Sequence, residues 1–422
     1  MNARIFPGKL AGRVEHVIAS KSQTHRALIC AALADKPTVL HGRALSRDIE
    51  ATLRCLRALG AEIASKEDGF FIEPIRALQR ETLLDCGESG STLRFLLPLT
   101  AALGADCSFT GQGNLASRPL SPLYEEIQAH GVMLSPQGRF PLSCRGRLTP
   151  GDYHIAGNIS SQFISGLLLA LPLLPGDSRI IVEGPLASRP YVELTRDMLR
   201  RFGIRIEEEF HISGGQRFIS PGALTLEGDW SAAACWLAAG ALSEKGVFCE
   251  GLCRESIQGD RAIVALLQAF GAQAQWRQGG VFVRRGDLHG IDIDAADIPD
   301  LVPVLSVVAA LARGETRIRQ IGRLHYKESD RVQGILRLLH ALAAEASTQD
   351  DTLIIQGRGR LPGGLVDGCQ DHRIVMAAAV AATAAEAPVT LLGAEAADKS
   401  DPGFWDQFAA LGGHWEEADD GI

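Results

Sequence analysis

The chain has few aromatic residues, no long apolar run and no excess of positive charge, and each lack closes off a class of function. Phe, Trp and Tyr make up 6% of the 422 residues, and the net charge is −8. A nucleic-acid protein would ordinarily be basic and carry stacking aromatics, so no nucleic-acid partner is expected. No stretch reaches about 18 uninterrupted apolar residues, so neither a membrane span nor a membrane partner is expected. The opening MNARIFPGKLAGRVEHV has no apolar core and no cleavage pattern, and it does not read as a secretory signal. The nine cysteines are odd in number and scattered, without a Cys-x-x-Cys pair. They read as reduced thiols of a cytoplasmic protein, and no metal site is expected. The acidic end, Glu416 to Asp420, reads as a solvated tail.

What is present is a repeat. A helix-then-glycine phrase occurs six times: Leu56–Gly60, Ile127–Gly131, Leu199–Gly203, Leu267–Gly271, Leu338–Ala343 and Phe408–Gly412, with Ala replacing Gly in the fifth. Successive copies lie about 70 residues apart, the mark of one structural unit built many times. Each phrase reads as a helix end in which Gly turns left-handed, followed by a strand such as Ala61–Ile63 or Ile204–Ile206. Every copy also carries a helix apolar on nearly all faces, such as Leu93–Leu103 or Ile374–Thr383, which belongs inside a protein. A second, amphipathic helix follows, as in Ile49–Leu59 or Val332–Leu342. The length exceeds what one core usually serves. Six units divide into two domains of three, with the break near Gly228.

The corner before each buried helix carries the chemistry. The six corners are Ser20–Gln23, Glu88–Ser91, Asn158–Gln162, Gly228–Ser231, Asp297–Asp300 and Cys369–Arg373. Helix capping accounts for the Ser, Asp and Asn residues. It does not account for Lys21, Arg26, Arg94, Gln162 or Arg373, because cations near a helix start oppose its dipole unless an anion sits between them. The amphipathic helices open in the same style, at Arg118, Ser188–Tyr191, Lys327–Arg331 and Lys399–Ser400. Arg331 stands four residues after Lys327, so the two would project from one helix face and share an anion.

At these residues the chain resembles the EPSP synthase family of enolpyruvyl transferases. The matching strings are Ser20-Lys21-Ser22 with Arg26, GESGSTLR from Gly87 to Arg94, Ser117-Arg118-Pro119, Ser160-Ser161-Gln162-Phe163, SRPY from Ser188 to Tyr191, Ile298-Pro299-Asp300, KESDR from Lys327 to Arg331, Asp371-His372-Arg373, and Lys399. They run in the family's order from residue 20 to residue 399. The resemblance implies a two-domain α/β (α+β) fold, an inside-out barrel of six βαβαββ-like units with buried helices, three units per domain. One domain would span 21–228 and the other 1–20 plus 229–422, with substrates in the cleft and hinges near residue 20 and Gly228. Shikimate 3-phosphate would be held by Lys21, Ser22, Arg26, Ser160, Ser161, Gln162, Ser188, Tyr191, Asp300 and Lys327. Phosphoenolpyruvate would be held by Lys21, Gly90, Arg118, Gln162, Arg331, Arg373 and Lys399. The family moves the enolpyruvyl group onto the 5-hydroxyl and releases phosphate through a tetrahedral intermediate, with no cofactor and no metal, in a monomer.

The residue types suit that chemistry. Lys21, Arg26, Arg118, Lys327, Arg331, Arg373 and Lys399 are cations for two phosphates and two carboxylates, against the anions Asp300 and Glu328, so a locally positive site is expected. Asp300 is assigned as the base for the 5-hydroxyl and Glu328 as the acid for the methylene carbon, with Lys21 and Lys399 at the leaving phosphate. His372 completes the catalytic set. Glu88, Arg323 and His325 depart from the common family pattern. The sister family that uses UDP-N-acetylglucosamine fits less well: it has Asn where Ser22 stands and usually a cysteine in the loop before Arg118, which Gly111–Arg118 lacks. A non-catalytic anion-binding paralogue is the other alternative, and RNA 3′-end cyclases, which use related units, are disfavoured by charge and composition.

Overall fold

The computed structural model of the chain describes residues 1–42, 45–79 and 81–418. Two compact units emerge, Ala19–Leu226 and Met1–Ile18 with Glu227–Ile422. Each contains three small sheets, and the six sheets share one plan. A parallel edge pair continues into an antiparallel hairpin, as in Thr82–Asp85 beside Cys107–Thr110, followed by Leu142–Gly146 and Val132–Leu134. The plan generates a βαβαββ unit, seen in full in residues 82–146 and 292–358. Other copies borrow a strand: Ala223–Thr225 joins the sheet of Thr38–His41, and Asn2–Phe6 lies between Val389–Leu392 and His414–Ala418. The third copy is irregular. Ile204–Ile206 forms no strand there; Ser178–Glu183 pairs in parallel with Asp152–Ala156, and on its antiparallel side it meets the short His211–Ile212.

The expected α/β fold with buried helices holds; its sheets are separate and open, with three or four strands each, and among the described residues no closed barrel forms. One expectation needs correcting. The acidic end is not a free tail through Ala418, because Glu416 and Glu417 pair with Arg4 and Ala3. Asp419 and Asp420 lie outside the described residues.

The apolar helices are the core. In the second unit Trp230–Ala241, Val302–Leu311 and His372–Thr383 pack on one another, and every residue of His372–Thr383 is buried. In the first, Gly90–Leu103 packs on Ser161–Ala170 at Gly166, where a Cβ would stand 2.2 Å from the Arg94 carbonyl oxygen; only glycine permits that approach. All six repeat phrases end helices in the left-handed region, at Gly60, Gly131, Gly203, Gly271, Ala343 and Gly412. Ala343 keeps φ 53° despite its Cβ, and Ala344 N–H still donates to Leu339 O at 2.9 Å. Among the described residues no helix is long and apolar enough to cross a membrane. All nine cysteines are unpaired, and Cys107 is buried on its strand.

Candidate active site

Capping explains much of the six corners. Ser20, Ser89, Ser160, Asp229 and Asp371 each accept a backbone N–H from the first turn of the helix that follows. The cations inside those turns have other partners.

In the Ala19–Leu226 unit those partners are mainly neutral oxygens. Arg26 is 2% exposed and places four of its five N–H donors on Thr195 Oγ1, Ser22 O, Ser165 Oγ and Tyr191 O, leaving one Nη1 hydrogen for a ligand. Burial pushes its pKa down to about 10. Arg94 donates to Gln162 Oε1 and to Pro119 O, both at 2.7 Å. Gln162 in turn donates to Ser91 Oγ at 2.9 Å. Arg94 therefore ties the loop carrying Arg118 to two buried helices. Arg118 lies against Gly90, where a Cβ would meet Nη1 at 2.6 Å, and the buried Nε of Arg118 has no partner among the described residues. A buried guanidinium N–H without an acceptor costs energy and fits a ligand oxygen. Lys21 pairs with Asp48 at 2.9 Å. Ser188 sits at φ 55°, an unfavourable angle for a non-glycine residue, just before the helix Arg189–Arg201, and strain of this kind clusters at functional positions. Ser160, Ser161 and Tyr191 adjoin the same helix starts, while Glu88 closes on Gly113.

In the other unit the partners are mainly carboxylates. Arg331 is 1% exposed and binds three of them: Asp300 at 2.7 Å, Glu328 at 2.7 Å and Asp371 at 2.9 Å. Lys327 reaches the same Asp300 oxygen at 3.3 Å. The expected shared anion thus exists, but it is Asp300. The helix begins at Arg331, so Lys327 precedes it and does not share its face. Burial would raise the Asp300 pKa, but Lys327, Arg331 and Arg373 outweigh it and hold the carboxyl well below the usual range. Burial lowers the Lys327 pKa, and Arg331 adds to that while Asp300 opposes it. Arg373 donates from Nη1 to Ser231 O at 2.7 Å, and its buried Nε has no partner among the described residues. His372 is 1% exposed beside Asp371, Lys399 is buried at the end of the turn Ala394–Lys399, and His325 pairs instead with Asp330 on the surface. Arg323 donates to Ala296 O.

Sequence reasoning missed the carboxylates that complete these corners. Asp48 and Asp260 open the amphipathic helices of copies one and four, the two such corners that no Lys or Arg string marked. Asp260 is fully buried, accepts from Ser231 Oγ on Oδ2, and leaves Oδ1 without a partner. Burial, then the charge of Asp300, raise its pKa to about 7. Asp371 also acts on Arg331 as well as capping. In the other unit the cations Lys327, Arg331, Arg373 and Lys399 stand with the carboxylates Asp300, Glu328 and Asp371, which offset much of the expected positive charge.

A family model described as EPSP synthase (3-phosphoshikimate 1-carboxyvinyltransferase) matches residues 6–408. The chain belongs to this family. It is 41% identical over 419 residues to a 3-phosphoshikimate 1-carboxyvinyltransferase of Clostridium kluyveri, covering 98% of each chain. A relative of the same name from Clostridium perfringens is 41% identical over 97% of this chain and 98% of its own. The EPSP synthase structure from Acinetobacter baumannii superposes with TM-score 0.80 at 25% identity, over 99% of this chain and 100% of that one. The enolpyruvyl transferase NikO from Streptomyces tendae shares the fold, with TM-score 0.79 at 19% identity over 99% of this chain and 98% of its own.

Proposed function

We propose that the two corner sets divide the labour of the family's enolpyruvyl transfer. The chain transfers the enolpyruvyl group of phosphoenolpyruvate to the 5-hydroxyl of shikimate 3-phosphate and releases phosphate, with no cofactor. The observation that carries the assignment of roles is Asp300 and Glu328 on one buried guanidinium, Arg331. Asp300 accepts the 5-hydroxyl proton as that oxygen attacks C2, while Glu328 delivers a proton to C3. The tetrahedral adduct then returns a C3 proton and expels phosphate, assisted by Lys21 and Lys399. An Asp held this firmly ionised is a weak base. A substrate anion that draws Lys327 or Arg331 toward itself loosens their hold and raises the basicity of Asp300. Arg118 and Arg373, each with an uncommitted buried Nε, take phosphoenolpyruvate oxygens with Gly90, Gln162, Arg331 and Lys399. Ser22, Arg26, Ser160, Ser161, Ser188, Tyr191 and Lys327 take shikimate 3-phosphate. Unpaired thiols suit a reducing compartment, and we take the chain to work as a cytoplasmic monomer. The test is phosphate release from phosphoenolpyruvate, with shikimate 3-phosphate and UDP-N-acetylglucosamine as separate acceptors. Release with only the first is expected. Release with neither would support the non-catalytic paralogue, and release with the second the sister family.

A further inference from the structure

We infer that a directional chain of hydroxyls from His25 through Thr52 and Thr92 to Ser89 positions the start of the helix Gly90–Leu103 for phosphoenolpyruvate. The inference rests on the reading above, and it makes His25 and Thr52 positioning residues that touch no substrate. His25 Nδ1 lies 2.7 Å from Thr52 Oγ1, and Thr52 Oγ1 lies 2.7 Å from Thr92 Oγ1. Thr92 Oγ1 donates to Ser89 Oγ at 2.8 Å. Thr92 N–H reaches the same oxygen at 3.2 Å. The four residues are at most 1% exposed and come from the helices Lys21–Ala32, Arg47–Ala58 and Gly90–Leu103 with its cap.

Burial fixes the direction of the protons. Ser89 Oγ takes the Thr92 hydroxyl hydrogen, so Thr92 accepts from Thr52. Thr52 has then spent its one hydrogen, and His25 must donate from Nδ1. The ring is neutral, since burial drives its pKa down to about 3, with Lys21 and Arg26 adding to the effect and Asp48 opposing it. Nε2 is buried without a partner among the described residues, and this tautomer leaves it a bare acceptor, cheaper to bury than an orphaned N–H. Ser89 keeps its own hydroxyl hydrogen, the only one not consumed within the chain. Ser89 caps the helix whose first residue, Gly90, lies against Arg118. The chain therefore sets where the cap, the first free N–H groups of the helix and Arg118 converge. Polar side chains at three core positions are costly unless fully satisfied, and an apolar set would hold three helices together as well.

The test compares Thr52→Val with Thr52→Ser. Thr52→Val should raise the KM for phosphoenolpyruvate about tenfold, equivalent to about 1.4 kcal/mol, with kcat within about twofold and the KM for shikimate 3-phosphate unchanged. Thr52→Ser should restore the wild-type value. Thr92→Val should give the same split and serves if Thr52→Val does not fold. Independently of turnover, 15N NMR of the imidazole should show the Nδ1–H tautomer of His25. An Nε2–H tautomer in the wild type overturns the chain's direction. An unchanged phosphoenolpyruvate KM in folded Thr52→Val, or an equal rise in both KM values, overturns the positioning role. Absence of wild-type turnover with an Nδ1–H tautomer would instead count against the functional reading.

Discussion

The two units build the same corner from the same repeat and hold a buried arginine, Arg26 in one and Arg331 in the other, in opposite ways. In Ala19–Leu226, Arg26 is fastened by hydroxyl and carbonyl oxygens, and Arg94 donates to an amide and a carbonyl oxygen. In the other unit Arg331 is fastened by three carboxylates. Neutral fastening leaves a field for anionic ligands. Carboxylate fastening spends the field but keeps ionisable groups in place for proton transfer. On the proposed reading, one fold element serves binding in one unit and chemistry in the other.

The largest expected break is in turnover. Asp300→Ala should lower kcat by about 10²–10⁴ while the protein still binds shikimate 3-phosphate, measured by phosphate release and by titration. Near-normal turnover would remove Asp300 from the mechanism.

The comparison sharpens in stability. Arg331→Met strands three carboxylates and should cost about 3–5 kcal/mol in denaturant unfolding. Arg94→Met strands the neutral oxygens of Gln162 and Pro119 and should cost about 1–3 kcal/mol. Equal losses would mean that the partners' charge does not matter.

Ligand effects should be smaller and one-sided. Arg118→Ala should raise the KM for phosphoenolpyruvate about 10–100-fold, far more than that for shikimate 3-phosphate. Equal rises would contradict its placement.

The units should also differ in pH response. Burial raises the pKa of Asp260 to about 7 and that of Asp401 to about 6. Between about pH 4 and 7 the folded chain keeps protons that the unfolded chain has released, so these groups make stability fall as pH rises. Asp300 has the opposite sign: its contribution is present above the ordinary carboxylate range and is lost as pH falls. Asp260→Asn should flatten the decline in Tm across that window, and an unchanged slope would argue against a protonated Asp260. The smallest effect belongs to the repeat itself. Ala343→Gly relieves a left-handed alanine and should add about 0.5 kcal/mol, read from denaturant midpoints.

The repeat was legible because left-handed helix ends demand glycine, and even the Ala343 copy keeps the angle. The buried helices were legible from apolarity on all faces, and most corners from Ser and Asp caps. The charge balance was not. Asp48 and Asp260 look like ordinary first-turn acids, and only the fold brings them to Lys21 and Ser231. Lys327 and Arg331 look like one helix face because spacing does not reveal that the helix starts at Arg331. Ile204–Ile206 has strand composition, but among the described residues it pairs with no strand.

The division of labour is tested most directly by single-turnover rates at saturating substrates for Asp300→Asn and Arg118→Lys. The account predicts that Asp300→Asn loses the chemical step while binding stays within a few-fold of wild type, and that Arg118→Lys binds phosphoenolpyruvate weakly yet recovers its rate at saturation. A normal chemical step in Asp300→Asn, or an Arg118→Lys rate that saturation does not restore, would contradict it.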